Sequence, residues 1–233
     1  MYLALAGLGS GDALTGRQPG DPESEAIGMP AHQITFAPTQ TEPQVPVKAA
    51  ARAWHVSNVL VYNMLSSGLI DDLGMRTVGT VAQRDIITSA TSLTGRPVAV
   101  LRLGEKTVET NPAETRKYYG YAANMTDQQV LDAAARWWQE RSARPVLDSG
   151  VLLVVRASFI VAALDVFGIA DRQDDRVSFE ARMVVRSTDA VENTHRVLDD
   201  SSSNIGLAER VVNCRALGGG GGPITLLPSG GAS

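Results

Sequence analysis

The sequence predicts an α+β protein in which a small helical module with a two-stranded wing precedes an α+β domain. Three observations predict this class. Helix-forming residues with helical spacing lie between 45 and 92, and strand-like runs lie between 96 and 215. Glycine, proline and polar residues dominate both ends, 1–44 and 216–233. The second domain is expected to contain an antiparallel sheet or a partly open barrel, since its longest strand patterns follow one another closely.

The first segment, 1–44, is expected to be a disordered acidic tail. It carries a net charge of −4 and has no apolar periodicity beyond its first positions. Such a segment buries too little apolar surface to offset the entropy of ordering. A translation start at Met29 instead of Met1 is a hypothesis that the intact mass of the native protein would decide. At the other end, the glycine-rich stretch 216–233 is expected to be flexible apart from Ile224–Leu227.

The helical module is predicted to contain two short helices joined by a tight turn. Lys48–Trp54 is rich in strong helix formers, and His55 marks the turn. Ser57 is a suitable N-cap for a second helix that continues to about Ser66 and is closed by Gly68. We therefore expect a helix-turn-helix arrangement in this part of the chain.

The residues after the second helix are predicted to form the wing. Met75–Val81 alternates in polarity around a central glycine, which is typical of two short strands. Arg84–Ile87 is expected to begin a short closing helix.

These features resemble the excisionase and MerR-type winged helix-turn-helix family. The resemblance covers about 40 residues and rests on the following positions: Ala50, Ala51, Val56, Ser57, Val61, Tyr62, Ser67, Gly68, Leu69, Ile70, Arg76 and Arg84. It implies that the second helix enters the major groove of duplex DNA. The chain departs from the family in having no Arg or Lys on that helix. The function expected from the resemblance is that of a DNA-binding transcriptional regulator or accessory factor.

The residue types of the module agree with such an interface. Amide side chains suit adenine edges, and hydroxyl and guanidinium groups suit phosphates. The predicted nucleic-acid-binding residues are Ser57, Asn58, Tyr62, Asn63, Arg76, Arg84 and Arg52. Because the second helix lacks basic residues, an adaptor that uses the same helices to contact another protein is the alternative. Weak basicity also favours a homodimer or a second contact surface, since phosphate contacts dominate affinity for duplex DNA.

The second domain is predicted to begin with a strand, Val98–Leu103, and to continue with a helix. Thr126 and Gln129 form the pattern of a capping box, and the helix is expected to reach about Arg141.

Strands follow the helix. Val151–Val155 and Phe159–Leu164 flank a tight connection and predict a hairpin. Arg176–Arg186 alternates cleanly and predicts a longer strand, and Val211–Val212 is expected to add a last short one.

A second possible binding site lies between these elements, where basic and aromatic side chains alternate. The candidates are Arg116, Lys117, Tyr119, Tyr121 and Trp138. Cations can hold a nucleic-acid backbone while rings cover the faces of unpaired bases. The order of elements across 96–215 is similar to small PUA-like barrels that read RNA or modified bases, which implies a pocket near these residues. The structural alternative is that at least one of Trp137 and Trp138 packs in the core.

Composition argues against several other functions. Cys214 is the single cysteine and there are three histidines, so a thiolate or imidazole metal site is not expected, and neither is a cofactor. The apolar run Val151–Gly168 contains Arg156 and Asp165, so no membrane segment is expected and the protein is expected to be cytoplasmic. No catalytic residue is predicted. An enzyme would need carboxylates that converge on the aromatic region, for which Glu105, Glu109 and Asp132 are the nearby candidates.

Charge is unevenly distributed along the chain. The net charge is −4, but residues 45–90 carry +1 and residues 91–144 carry +2. The middle of the chain is therefore compatible with phosphate binding, and duplex DNA is the expected partner.

Overall fold

The structure is a computed structural model that describes residues 42–89, 97–114, 116–216 and 222–227. These residues belong to one compact unit, Thr41–Ser233. Nearly all of the predicted acidic tail lies outside the described residues, as do 90–96, where the boundary between the two predicted modules falls, and most of the predicted C-terminal tail. Residues 224–226 of that tail form a strand. The fold is α+β, as predicted.

Three short helices begin the described chain: α1 (Val47–Ala53), α2 (Asn58–Ser66) and α3 (Met75–Ala82). The predicted pair of short helices joined by a tight turn is present as α1 and α2. His55 has a positive φ of 54° in the turn, and the Ser57 hydroxyl accepts a hydrogen bond from the Leu60 amide at 3.3 Å. The Trp54 indole donates to the carbonyl oxygen of Val78 at 2.9 Å and thereby connects α1 to α3.

The prediction of a two-stranded wing is wrong, because Met75–Val81 lies in helix α3. Val78 and Val81 are both buried, and their separation of three residues suits one face of a helix. The carboxylate of Asp72 supports the start of α3 by accepting hydrogen bonds from the Gly74 amide and the Thr77 hydroxyl. The predicted closing helix is also wrong, since Ile86–Ile87 forms a strand.

The rest of the described chain forms a nine-stranded mixed sheet, a separate two-stranded ribbon and three further helices. The strands are β1 (Ile86–Ile87), β2 (Ala99–Arg102), β3 (Thr107–Val108), β4 (Tyr118–Tyr119), β5 (Trp138–Gln139), β6 (Val151–Arg156), β7 (Phe159–Gln173), β8 (Arg176–Asp189), β9 (Thr194–Val197), β10 (Arg215–Ala216) and β11 (Ile224–Leu226). The helices are α4 (Asp127–Ala135), α5 (Glu140–Ser149) and α6 (Ile205–Val211).

The main path of the sheet runs β1-β10-β7-β6-β2-β11. Strand β8 pairs with β7 and also with β5 and β9. The predicted hairpin is confirmed as β6–β7, and the predicted alternating strand is confirmed as β8. The sheet is not wholly antiparallel, because β2–β6 and β1–β10 pair in parallel. The described strands do not close into a barrel. A parallel pair needs a long crossover, which α4 and α5 supply between β2 and β6.

The helical crossover differs from its prediction in length. The capping box is confirmed, since Thr126 and Gln129 exchange side-chain and backbone hydrogen bonds. The helix ends at Ala135 instead of near Arg141, because Arg136 adopts an extended conformation with a φ of −155°. At the other end of the domain, Val211 closes helix α6, so the strand predicted at Val211–Val212 is wrong.

Both faces of the central strands are covered. Leu152 and Val154 belong to a core cluster shared with α1–α5, whereas Leu153 and Val155 belong to a second cluster shared with α6. Because successive side chains of a strand point to opposite faces, β6 separates the two clusters. The helical module therefore shares one core with the sheet.

Candidate functional site

The second helix of the α1–α2 pair has an exposed surface that carries no charge. Asn58 and Tyr62 are exposed, and 58% of Tyr62 is accessible. Ser57 is exposed too, although its hydroxyl serves as the N-cap of α2. Asn63 is only half-buried and faces a cavity between α2 and the sheet. Of the nucleic-acid-binding residues predicted on α2 and its N-cap, Asn58 and Tyr62 are thus the best placed for a large partner.

The predicted phosphate contacts are used largely within the protein. Arg76 forms an ion pair with Glu192, with 2.7 Å between its Nη2 and Oε1 of the acid. Arg84 donates hydrogen bonds to the carbonyl oxygens of Ala190 and Val191. Arg52 is exposed in the last turn of α1. Less positive charge is therefore available beside α2 than the sequence suggested.

A cleft of about 510 Å³ brings basic and aromatic side chains together on another side of the molecule. We call it the aromatic cleft. It lies between the chain that leaves β2, the β3–β4 ribbon, and the segment that joins α4 to β5. Its charged and aromatic lining residues are Arg102, Glu105, Glu109, Arg116, Tyr119, Arg136, Trp137 and Trp138.

The aromatic cleft includes three of the five residues predicted as a second site: Arg116, Tyr119 and Trp138. Lys117 is exposed and lines a neighbouring groove instead. Tyr121 is 1% exposed and lines a different cavity, so its assignment to this site is wrong. Burial raises the pKa of the Tyr121 hydroxyl, because the effect of burial outweighs the opposing effect of Arg186.

Hydrogen bonds hold the two tryptophans in the cleft. The Trp137 indole donates to Oε2 of Glu114 at 2.8 Å, and the Trp138 indole donates to the carbonyl oxygen of Ala134 at 2.7 Å. Both rings are half-buried. Because their polar atoms already have partners, their remaining accessible surface can act by stacking.

Arg116 makes several contacts in the cleft. Its guanidinium group pairs with Glu109 at 3.3 Å, donates to the carbonyl oxygen of Arg136, and lies 5.9 Å from the centre of the Tyr119 ring. The backbone N–H of Asn111 donates a hydrogen bond to the carboxylate of Glu109. This bond and the contacts with Arg116 lower the pKa of the Glu109 carboxyl group. This network orients the exposed face of Tyr119.

The carboxylates that an enzyme would require are partly gathered here. Glu105 and Glu109 line the cleft, whereas Asp132 pairs with Arg136 at 3.1 Å and is not among the lining residues. A general base functions best with a pKa near the working pH, and that of Glu109 is lowered instead.

Sequence reasoning missed Arg102 in the aromatic cleft. A basic residue at the end of the apolar strand β2 was the available signal, because buried strands rarely end on a long charged side chain without a partner. Its Nη1 donates to the hydroxyl of Thr225 at 2.6 Å. Residues 102 and 225 are far apart in sequence, so only pairing of β2 with β11 brings them together.

A third cavity, of about 520 Å³, lies between the start of α3 and the end of β8. The buried Arg186 lines it and donates to Oδ1 of Asp127 at 2.8 Å and to the carbonyl oxygens of Ala123 and Met125. Arg196 reaches the same carboxylate. These contacts make Arg186 a structural residue that connects β8 to the start of α4.

Among the described residues, no group of three or more His, Cys, Asp or Glu side chains is arranged to hold a metal ion. Within the same residues, every helix is too short or too polar to cross a membrane.

Comparisons with protein-family models, with curated proteins and with solved structures found no match to this chain.

Proposed function

We propose that this protein binds nucleic acid and that the aromatic cleft takes an unpaired base. The observation that carries the proposal is the joint presence of three arginines and three aromatic rings around one opening of about 510 Å³. A cavity of this size suits a nucleotide-sized ligand. The expected activity is binding without chemistry.

Stacking is the main contribution to this mode of binding. Tyr119 is 44% exposed, and the indole rings of Trp137 and Trp138 have their N–H groups satisfied. Each base that stacks on an aromatic ring contributes about 1–3 kcal/mol to binding. Because every base has a π face, we expect little sequence preference from this site.

Electrostatics adds a smaller attraction. Three arginines and two glutamates line the cleft, so the lining carries a small positive charge. Pairing of Arg116 with Glu109 reduces the positive charge that is available to phosphates. We therefore expect modest affinity that weakens with salt.

Fluorescence anisotropy of the full chain with single-stranded DNA, single-stranded RNA and duplex DNA tests the proposal, at low and moderate salt. Tyr119→Ala is the main variant, since its side chain is exposed and the residue belongs to a short ribbon. Phe167→Ala is the matched control, because Phe167 is 59% exposed and also lies beside an arginine, Arg182. We expect about a tenfold loss of single-strand affinity for Tyr119→Ala and none for the control.

Equal losses in the two variants, or no single-strand binding at low salt, would overturn the proposal. Binding confined to duplex DNA would move the function to the helix-turn-helix.

Duplex recognition by α2 is the second candidate. It is favoured by the tight turn before α2 and by the exposure of Asn58 and Tyr62 on that helix. The test is the double variant Asn58→Ala, Tyr62→Ala in the same assay, with duplex DNA as the ligand. Duplex binding that survives this change would exclude α2 as the reading helix and leave its apolar, exposed face for contact with another protein.

A further inference from the structure

Arg156 ends strand β6 and is buried among apolar neighbours. Only 5% of the residue is accessible. Alternation along β6 places its side chain on the same face as Leu152 and Val154, which is the face that α1–α5 cover. A charged side chain at such a position is costly unless partners satisfy it.

Among the described residues, two nitrogen atoms of the Arg156 guanidinium group lack those partners. Its Nε and Nη2 are shielded from solvent and have no hydrogen-bond acceptor. The hydroxyl of Ser158, two residues later, is also shielded and has no partner. Native proteins satisfy most buried polar groups, so two orphaned donor groups so close together call for an acceptor that the protein alone does not supply.

The turn between β6 and β7 positions these groups. Ala157 and Ser158 both have positive φ values, 46° and 74°, as a two-residue hairpin with a primed turn requires. Neither residue is a glycine, so this turn is held against its intrinsic preference by the paired strands on either side. The turn thus brings the Ser158 hydroxyl and the Arg156 side chain to one end of the hairpin.

Both residues line a cavity of about 280 Å³, which we call the Arg156 cavity. Its walls are Leu60, Asn63, Arg102, Leu103, Val155, Arg156, Ala157, Ser158 and Ala216. Within the described residues, they provide two guanidinium groups, a hydroxyl and an amide but no carboxylate. Glu105 is close enough to interact with the charge of Arg156, but it is not part of the lining.

We propose that the Arg156 cavity binds a phosphate group. A phosphate offers several acceptor oxygens and negative charge, which match the guanidinium fork of Arg156, the hydroxyl of Ser158 and the second cation Arg102. The source is either free phosphate or a nucleotide. Arg102 and Leu103 line the aromatic cleft as well as this cavity, so a nucleotide could place its base in the cleft and its phosphate beside Arg156. The inference goes beyond the proposed function and holds for free phosphate even if the cleft binds no nucleic acid.

The test is thermal unfolding of the full chain in chloride buffer to which inorganic phosphate, AMP or adenosine is added at matched ionic strength. A ligand that binds the folded state raises the Tm with its concentration. We expect phosphate and AMP to raise the Tm of the native chain by a few degrees. We expect the rise to be lost in Arg156→Met, in which an apolar side chain of similar length replaces the cation.

Two further variants complete the design. Ser158→Ala should reduce the phosphate-dependent rise without abolishing it, and it provides a test if Arg156→Met does not fold. Arg141→Met is the matched control, since Arg141 is exposed and lines none of the three cavities described above. It should respond to phosphate as the native chain does.

The comparison of phosphate, AMP and adenosine also identifies the source of the phosphate group. A larger rise with AMP than with phosphate supports a nucleotide, and equal rises support free phosphate. A phosphate-dependent rise that persists in Arg156→Met would overturn the proposal, as would the absence of any rise with phosphate or AMP. A rise with adenosine equal to that with AMP, and none with phosphate, would also overturn it while leaving base binding in the aromatic cleft intact.

Discussion

Two buried arginines on neighbouring parts of the sheet have opposite surroundings. Arg186 on β8 and Arg156 on β6 are each 5% exposed. Arg186 donates to the carboxylate of Asp127 and to two carbonyl oxygens at the start of α4. Arg156 has two shielded nitrogen atoms without an acceptor among the described residues. The two arginines are therefore equally buried, but Arg186 has hydrogen-bond acceptors whereas two nitrogen atoms of Arg156 do not.

The difference separates a structural role from a binding role. Removing a buried charge that has a full set of partners lowers the stability of the fold strongly, because those partners are left without their hydrogen bonds. A buried charge without partners weakens the folded state until a ligand supplies the acceptor. The contacts, not the depth of burial, distinguish the two.

The largest effect is expected for Arg186→Met. It leaves Asp127 with Arg196 as its remaining arginine partner and leaves two carbonyl oxygens unpaired, so the free energy of unfolding should fall by about 3 kcal/mol. Urea denaturation monitored by tryptophan fluorescence measures this change in the free energy of unfolding. A loss no larger than that of an exposed arginine variant such as Arg141→Met would contradict the structural role.

An opposite sign is expected for Arg156→Met in phosphate-free buffer. Removing a buried donor that has no acceptor should raise the free energy of unfolding by about 1.5 kcal/mol. The measurement is the same urea titration, with chloride as the only anion. Destabilisation by a similar amount would show that Arg156 has partners within the protein and would remove the contrast with Arg186.

The pairing of Arg186 also predicts a dependence on pH. Burial acts to raise the pKa of Asp127, but the hydrogen bonds and charges of Arg186 and Arg196 outweigh it and lower the pKa below its usual value. A lowered pKa in the folded state contributes stability that is present above the unfolded value of about 3.9 and is lost as the pH falls through the folded value.

Asp127→Asn should therefore be less stable than the native chain by about 1 kcal/mol near neutral pH, an amount reduced by the partial exposure of the carboxylate. The gap should begin to narrow as the pH falls through the unfolded value of about 3.9, and it should close as the pH falls further through the lowered folded pKa, where the native carboxyl group becomes neutral. Urea titrations from pH 3 to pH 7 measure the gap. A difference that stays constant over this range would show that the charge of Asp127 is not what Arg186 requires.

The smallest effect is expected for Arg76→Ala, which removes an exposed ion pair on the surface. Arg76 and Glu192 are 70% and 50% exposed, so the free energy of unfolding should change by less than about 0.5 kcal/mol. Circular dichroism melts at low and high salt would measure it. A change as large as that of Arg186→Met would show that exposure is a poor guide to the roles of arginine in this protein.

Local features were predictable from the sequence. The capping box of Thr126 and Gln129, the N-cap Ser57 and the hairpin of β6 and β7 are each specified by residues only a few positions apart. The strand β8 was predictable from the alternation of apolar and polar residues, and its apolar residues Val177, Phe179 and Met183 are buried. The concentration of basic and aromatic residues between 116 and 138 likewise predicted three residues of the aromatic cleft.

Other features depended on partners that are distant along the chain. Met75–Val81 has a pattern compatible with either a strand or a helix, and packing of Val78 and Val81 in the shared core selects the helix. Arg84 seemed available for phosphate, yet its acceptors lie 106 and 107 residues away. Tyr121 resembled its neighbour Tyr119 in sequence context but is buried in a different cavity.

The sequence by itself determined the class of the fold, two helix caps, the central hairpin and the region where the aromatic cleft forms. These features rest on hydrogen bonds and periodicities between near neighbours, which any short window of the chain contains. Only the tertiary structure decided which arginines are satisfied. Acceptors for Arg186 come from residues about 60 positions away, and none among the described residues reaches Nε or Nη2 of Arg156. Burial and pairing of a charge are set by how distant segments pack, and no local pattern records that.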